Sequence, residues 1–196
     1  MHRVLDGRSR LHLGTFHAVD ANDAATIRRC HCNRMNQGTP TVLESVERTL
    51  AGALTFIDAS LVIFRRGVLI EFKTALLDPG LTATAEGKRH GWQIGPFEGH
   101  HCHLDLESVT GVWFDAEPVS CQGGRLNYTV WFLTAGDCGN PFRPDGLFSV
   151  TLNAPYHADG SPHSEVIKAV YALHDFQRHG VGVFASEAFV AARPSA

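Results

Sequence analysis

The sequence predicts an α+β domain in which a large antiparallel β-sheet is flanked by helices. Three observations carry the prediction. Between residues 61 and 153, segments rich in Val, Ile and Phe alternate with period two and are joined by polar turns. Successive strands joined without an intervening helix pair antiparallel. On either side of that run lies a stretch with apolar residues three and four positions apart, as an amphipathic helix requires. Finally, 196 residues that are 44% hydrophobic and 19% charged can bury one core and leave little for a second. Residues 1–196 therefore read as a single domain whose core spans 39–180.

Residues 1–38 are the least legible. Leu11 and Leu13 alternate with His12, Asp20 or Asn22 can cap a helix, and Cys30 and Cys32 flank His31 without the spacing of a zinc knuckle. The first clear element is a helix from Thr39. Pro40 suits its first position, Thr41 and Glu44 have capping-box spacing, Val42, Val46 and Leu50 form a stripe, and Gly52 offers a stop near Ala51. Leu54 to Ile57, Leu61 to Arg66 and Val68 to Lys73 then read as strands, with Arg66-Gly67 as the turn between the last two. Asp78-Pro79-Gly80 breaks the pattern and Thr82 to Lys88 reads as an exposed loop. Further strands are expected at Val109 to Asp115, Arg125 to Thr134 and Leu147 to Asn153. A second helix is predicted with Ser161 as its cap, Pro162 at its first position and Val166, Val170 and Leu173 on its buried side. Gly180 ends it, and Val181 to Phe184 can add a short strand.

Composition excludes several functions. A net charge of −3 argues against binding nucleic acid by bulk electrostatics. No window approaches the length of a membrane span, and the first residues lack an apolar leader core. With five cysteines in no framework spacing, a reducing cytoplasm is the expected location. No Gly-x-Ser-x-Gly elbow, P-loop or Gly-x-Gly-x-x-Gly occurs, so a carrier or binding protein is favoured over an enzyme.

The chemistry concentrates between His90 and Glu107, which hold four of the twelve histidines. From His101 the residues alternate, with His101, His103 and Asp105 on one side and Cys102, Leu104 and Leu106 on the other. Two imidazoles on one side of a strand lie about 7 Å apart at the backbone and can serve one ligand. One chemistry is a cupin-like site for Zn, Mn or non-haem Fe at His101, His103 and Glu107, spaced from Gly95 as a cupin begins. That pattern lacks its later members: Ser149 stands where the third histidine belongs and Phe114 where a glycine does.

The other chemistry is haem. Leu54 to Ile63 before a strand pair, Arg89-His90-Gly91-Trp92 opening the next strand and His103 to Glu107 leading into Val109 to Phe114 form a series of landmarks. Leu126 to Leu133, Asp145-Gly146 before Leu147 to Val150, and the helix Val166 to Phe176 complete it. In their order and spacing, from Gly52 to about His179, the chain resembles the HutX/ChuX-type intracellular haem-utilisation proteins, and more distantly one repeat of the HemS-type haem-transport proteins. The resemblance implies a HemS/ChuX-like α+β fold, a homodimer, and haem binding in transfer, storage or utilisation during iron acquisition. It assigns the haem iron to His103. A second family histidine falls on or near Asp58, and His90, His100 or His101 can compensate. Arg89 or Arg66 can pair with the propionates. Trp92, Phe97, Trp113, Phe114, Tyr128, Trp131 and Phe132 are available for an apolar wall, although aromatics in half-buried strands mostly serve the core. A scaffold that has lost haem and takes another apolar ligand is the alternative.

Overall fold

A computed structural model describes residues 41–65, 67–76, 82–83, 92–94, 101–119 and 123–195. Helix α1, Val42–Ala53, starts as its residues dictate. The Thr41 hydroxyl accepts the Glu44 N–H at 3.2 Å and the Glu44 carboxylate accepts the Thr41 N–H at 2.9 Å, a reciprocal capping box. Thr41 is thus the cap and Val42 the first helical residue; Pro40 lies outside the described residues. Gly52 is not a stop. The helix runs through it because Leu173 packs where a Cβ would stand. The strand expected at Leu54 to Ile57 is instead the helix end, with the Leu54 and Phe56 N–H groups bonded back to Leu50 and Ala53. Leu54 and Phe56 are buried there, and two apolar residues separated by one imitate a strand.

Strands β1 (Ala59–Arg65) and β2 (Val68–Lys73) form a hairpin. A small second sheet joins β3 (Thr82–Ala83), β4 (Trp92–Ile94) and β5 (Cys102–Leu104). Strands β6 (Val109–Val119), β7 (Arg125–Thr134) and β8 (Gly146–Leu152) follow as a meander. Helix α2 (Ser164–Gln177) then crosses the sheet to β9 (Val183–Ala185). The large sheet has the order β2-β1-β8-β7-β6-β9 and is antiparallel up to β6. Its last strand, β9, lies parallel to β6. That mixed edge follows from the helical crossover, which returns the chain in its original direction.

Helix α2 begins later than its sequence suggests. The backbone N–H and hydroxyl of Ser161 are both held by Asp159, at 2.8 and 2.6 Å, and Pro162 bridges to Tyr156, so His163 becomes the cap without a side-chain bond. A helix not foreseen, α3 (Glu187–Ala191), is capped by Ser186. Its Phe189 is fully buried and stacks on Tyr171 at 4.3 Å, while the Tyr171 hydroxyl donates to the Phe189 carbonyl.

The strand registers sort the large sheet into two unlike faces. Leu61, Val150, Val130 and Phe114 lie opposite one another across β1, β8, β7 and β6, and each is at most 1% exposed. Val46, Leu50, Val166, Val170 and Phe189 from the three described helices pack on this side. Each such side chain contributes about 1.5–3 kcal/mol of burial. On the opposite face the matching line is Ser60, Thr151, Thr129 and Asp115. The next line is Val62, Ser149, Trp131, Trp113 and Phe184. No described helix covers that face. Among the described residues no helix is long and apolar enough to cross a membrane.

Candidate functional site

The predicted histidine segment forms only the three-residue strand β5, paired with β4 so that Leu104 faces Trp92 and His103 faces Gln93. Ile94 and Leu104 are buried and bind this small sheet to the core. His103 projects to the other side and is exposed. The His101 and His103 rings meet edge to face with centroids 5.3 Å apart, so the alternation places both imidazoles together as expected. After β5 the Asp105 carboxylate accepts the Glu107 N–H at 3.1 Å and opens a 3-10 turn, Leu106–Ser108, that delivers the chain into β6.

Beside His103 is a hollow of about 470 Å³. Leu104, Ile63, Leu147 and Phe148 give it an apolar floor, while Asp105, Ser108, Thr134 and Asp137 make its rim polar. Its size falls within the range of small-molecule sites, but its wall does not match the aromatic one the sequence offered. Phe114, Phe132 and Tyr128 are buried in the core under the helices, and Trp113 and Trp131 stand on the open face of the sheet. Trp92 lies on β4. Phe97 lies outside the described residues, as do Arg66, Arg89, His90, His100, Cys30, Cys32 and residues 1–38 generally.

Asp58 has a structural occupation. It adopts φ +50°, a left-handed conformation that aspartate tolerates better than most side chains. Its carbonyl accepts the Asn153 N–H at 2.8 Å and its carboxylate accepts the Asn153 amide at 3.2 Å. It precedes β1, whereas Ile63 at the hollow lies five residues along, roughly 17 Å by the strand rise. The three-ligand alternative finds no support. Among the described residues no group of three or more His, Cys, Asp or Glu side chains could hold a metal ion, and Glu107 sits in the 3-10 turn. The Cys102 thiol is not available as a ligand at neutral pH. Burial pushes Cys102 up to about 11, and the Cys138 Sγ–H donates to the carbonyls of Pro144 and Gly146.

A larger hollow, about 650 Å³, lies on the open face of the six-stranded sheet, between Phe64, Trp131 and Phe142 and above Ser149, Thr129 and Asp115. Sequence reading missed it. Its signal was present in the polar residues alternating with the core positions, Ser60, Asp115, Thr129 and Ser149, but a polar strand face ordinarily means solvent.

No protein-family model matches the chain, and no curated protein matches it in sequence. Solved structures do match its fold. The crystal structure of ChuX superimposes with a TM-score of 0.50 at 10% identity, over 70% of this chain and 75% of that one. A second structure, of the heme binding protein ChuX, gives 0.50 and 10% over 70% of this chain and 76% of the other. At that identity the likeness establishes the architecture: the chain shares the α+β fold of ChuX.

Proposed function

We propose that this chain binds haem through one axial imidazole, His103, as a cytoplasmic carrier or store serving haem transfer or utilisation, and that it works as a homodimer. The placement of His103 supports the reading. The residue is exposed beside the 470 Å³ hollow, and no hydrogen bond among the described residues occupies either ring nitrogen. Neutral imidazole is an ordinary ligand of haem iron. The apolar floor of Ile63, Leu104, Leu147 and Phe148 suits one edge of a porphyrin. Asp105 and Asp137 oppose the propionates by like charge, so those groups have to lie away from this rim. Arg89 is the partner that the family resemblance offers them. Haem held in this way is largely open to water, which suits transfer better than redox catalysis.

Titration of the apoprotein with hemin tests the reading. A red-shifted Soret band that saturates at one haem per chain is expected. His103→Ala abolishes or displaces it, while Asp58→Ala leaves it in place. A spectrum that hemin does not change at micromolar concentration overturns the proposal. Equal spectra for the wild type and His103→Ala reject His103 as the ligand. Light scattering of the same samples, at twice the chain mass, checks the homodimer.

A further inference from the structure

The open face of the six-stranded sheet carries a second hollow, apart from the one beside His103. Its floor is a line of Ser60, Thr151, Thr129 and Asp115 across four adjacent strands, about 14 Å long at ordinary strand spacing. Three of the four are at most 5% exposed although they face the 650 Å³ cleft. The hydroxyls are largely spent on one another. Ser60 donates to Glu71 at 2.6 Å, and Thr129 and Thr151 bond at 3.1 Å. What remains at the floor is mostly accepting capacity.

Two observations mark it as a place for a ligand. Ser149, on β8 between Val62 and Trp131, is 1% exposed and lines the cleft, and among the described residues its hydroxyl has no hydrogen-bond partner. That hydroxyl faces the cleft, where a ligand can bond it. The second observation is a pair of neighbouring carboxyls, Asp115 and Glu117, that line the cleft. Asp115 and Glu117 share one side of β6, near enough for the charge of one to act on the other. Partial burial, and then the charge of Asp115, raise the Glu117 carboxyl above its ordinary range. The Arg143 charge offsets part of that rise, but its Nε lies 3.1 Å from Asp145 and its guanidinium over the Trp113 ring, and Lys73 approaches Glu71 at 3.9 Å. The walls are apolar, being Val62, Phe64, Leu69, Trp131 and Phe142. Phe142 is 70% exposed and set edge-on against Phe64, on a loop pinned by the buried Asn140 amide.

We propose that this cleft binds a small organic cation of the di- or triamine class, with one ammonium group received by Asp115 and Glu117. An ammonium group brings three donors and no acceptor, the complement of this floor. Methylenes between the nitrogens match the apolar walls, and an exposed aromatic ring can face a cation from the mouth. The lack of any three-ligand cluster among the described residues favours an organic cation over a divalent metal. The proposal is independent of the haem reading, because it uses the opposite end of the sheet's chemistry and none of the residues at His103.

Calorimetric titration of the full chain with spermidine at low ionic strength tests it. Saturable binding of one spermidine per chain is expected. Glu117→Gln, at an exposed position, and Asp115→Asn each weaken it at least tenfold, and Ser149→Ala weakens it severalfold. Thermal unfolding of each variant shows whether the fold survives. Asp137→Asn, at the other hollow, and His103→Ala leave the affinity unchanged. The proposal falls if binding does not saturate, if Asp137→Asn weakens it as much as Glu117→Gln, or if magnesium ion competes at equal concentration. It also falls if glucose binds more tightly than spermidine.

Discussion

Phe148 and Ser149 are consecutive on one strand and almost equally inaccessible, at 0% and 1% exposed, yet they are buried for different reasons. Phe148 faces the helices and stacks on Phe132 with centroids 4.5 Å apart, so its burial drives folding. Ser149 faces the open side, enclosed by its strand neighbours Val62 and Trp131, and its hydroxyl gains no bond from the enclosure. A sheet can thus hide both faces from water while only one of them supplies stability. The other holds polar groups in a shape that folding alone does not require.

The sharpest way to break that contrast is to truncate both residues. Phe148→Ala is expected to lose about 3–5 kcal/mol in urea unfolding, through lost transfer energy plus a cavity. Ser149→Ala is expected to stay within about 0.5 kcal/mol of the wild type or to exceed it, because the hydroxyl it removes is unpaired. A comparable loss at both positions would mean that the open face is core as well.

Next in size is Gly146, where the two faces meet at the start of β8. A Cβ there would stand 2.9 Å from the Trp131 ring and 3.1 Å from the Arg143 carbonyl. The ring can shift but the carbonyl is backbone, so Gly146→Ala is expected to cost about 1–3 kcal/mol. A change in tryptophan fluorescence should accompany the loss. An unaltered midpoint and spectrum would show that this corner of the cleft is soft.

The sheet itself was legible because its strands lie between polar turns and their apolar residues keep one parity. Leu61, Val130, Phe132 and Val150 all announce the covered face in this way. The Thr41 and Glu44 box was legible for a similar reason, since both partners are local. What escaped depends on distant contacts. Gly52 is occupied by Leu173 from another helix, Ser161 is taken by Asp159 before it can cap α2, and α3 exists because Phe189 finds Tyr171. The site divides along the same line. The pairing of His101 with His103 followed from strand alternation, whereas the acidic rim at Asp137 comes from the β7–β8 turn, remote in sequence. The open-face cleft needed four registers at once, and no single segment reveals it.

A smaller effect tests how firmly the covered face is held. Thr41→Ala removes the side-chain acceptor for the Glu44 N–H and is expected to cost about 1 kcal/mol. Thr41→Ser, which keeps that acceptor, should recover most of the loss. If both variants unfold at the wild-type midpoint, α1 is fixed by its apolar stripe alone.

The smallest expected effect concerns the ion pair that ties the end of the chain to α2 over the same covered face. Two hydrogen bonds from Arg193, at 2.8 and 2.7 Å, hold the Asp175 carboxyl at about 2, below its ordinary range. The folded-state value is thus lower than the unfolded one, so the pair's contribution is complete above about pH 4 and disappears as the pH falls through about 2. Both partners are substantially exposed, which limits the contribution to under about 1 kcal/mol. Asp175→Asn should therefore be slightly less stable than the wild type at pH 7, and the difference should close by pH 2. A gap that persists unchanged into acid would assign the contact's worth to shape rather than charge, and the open and covered faces would then differ in packing alone.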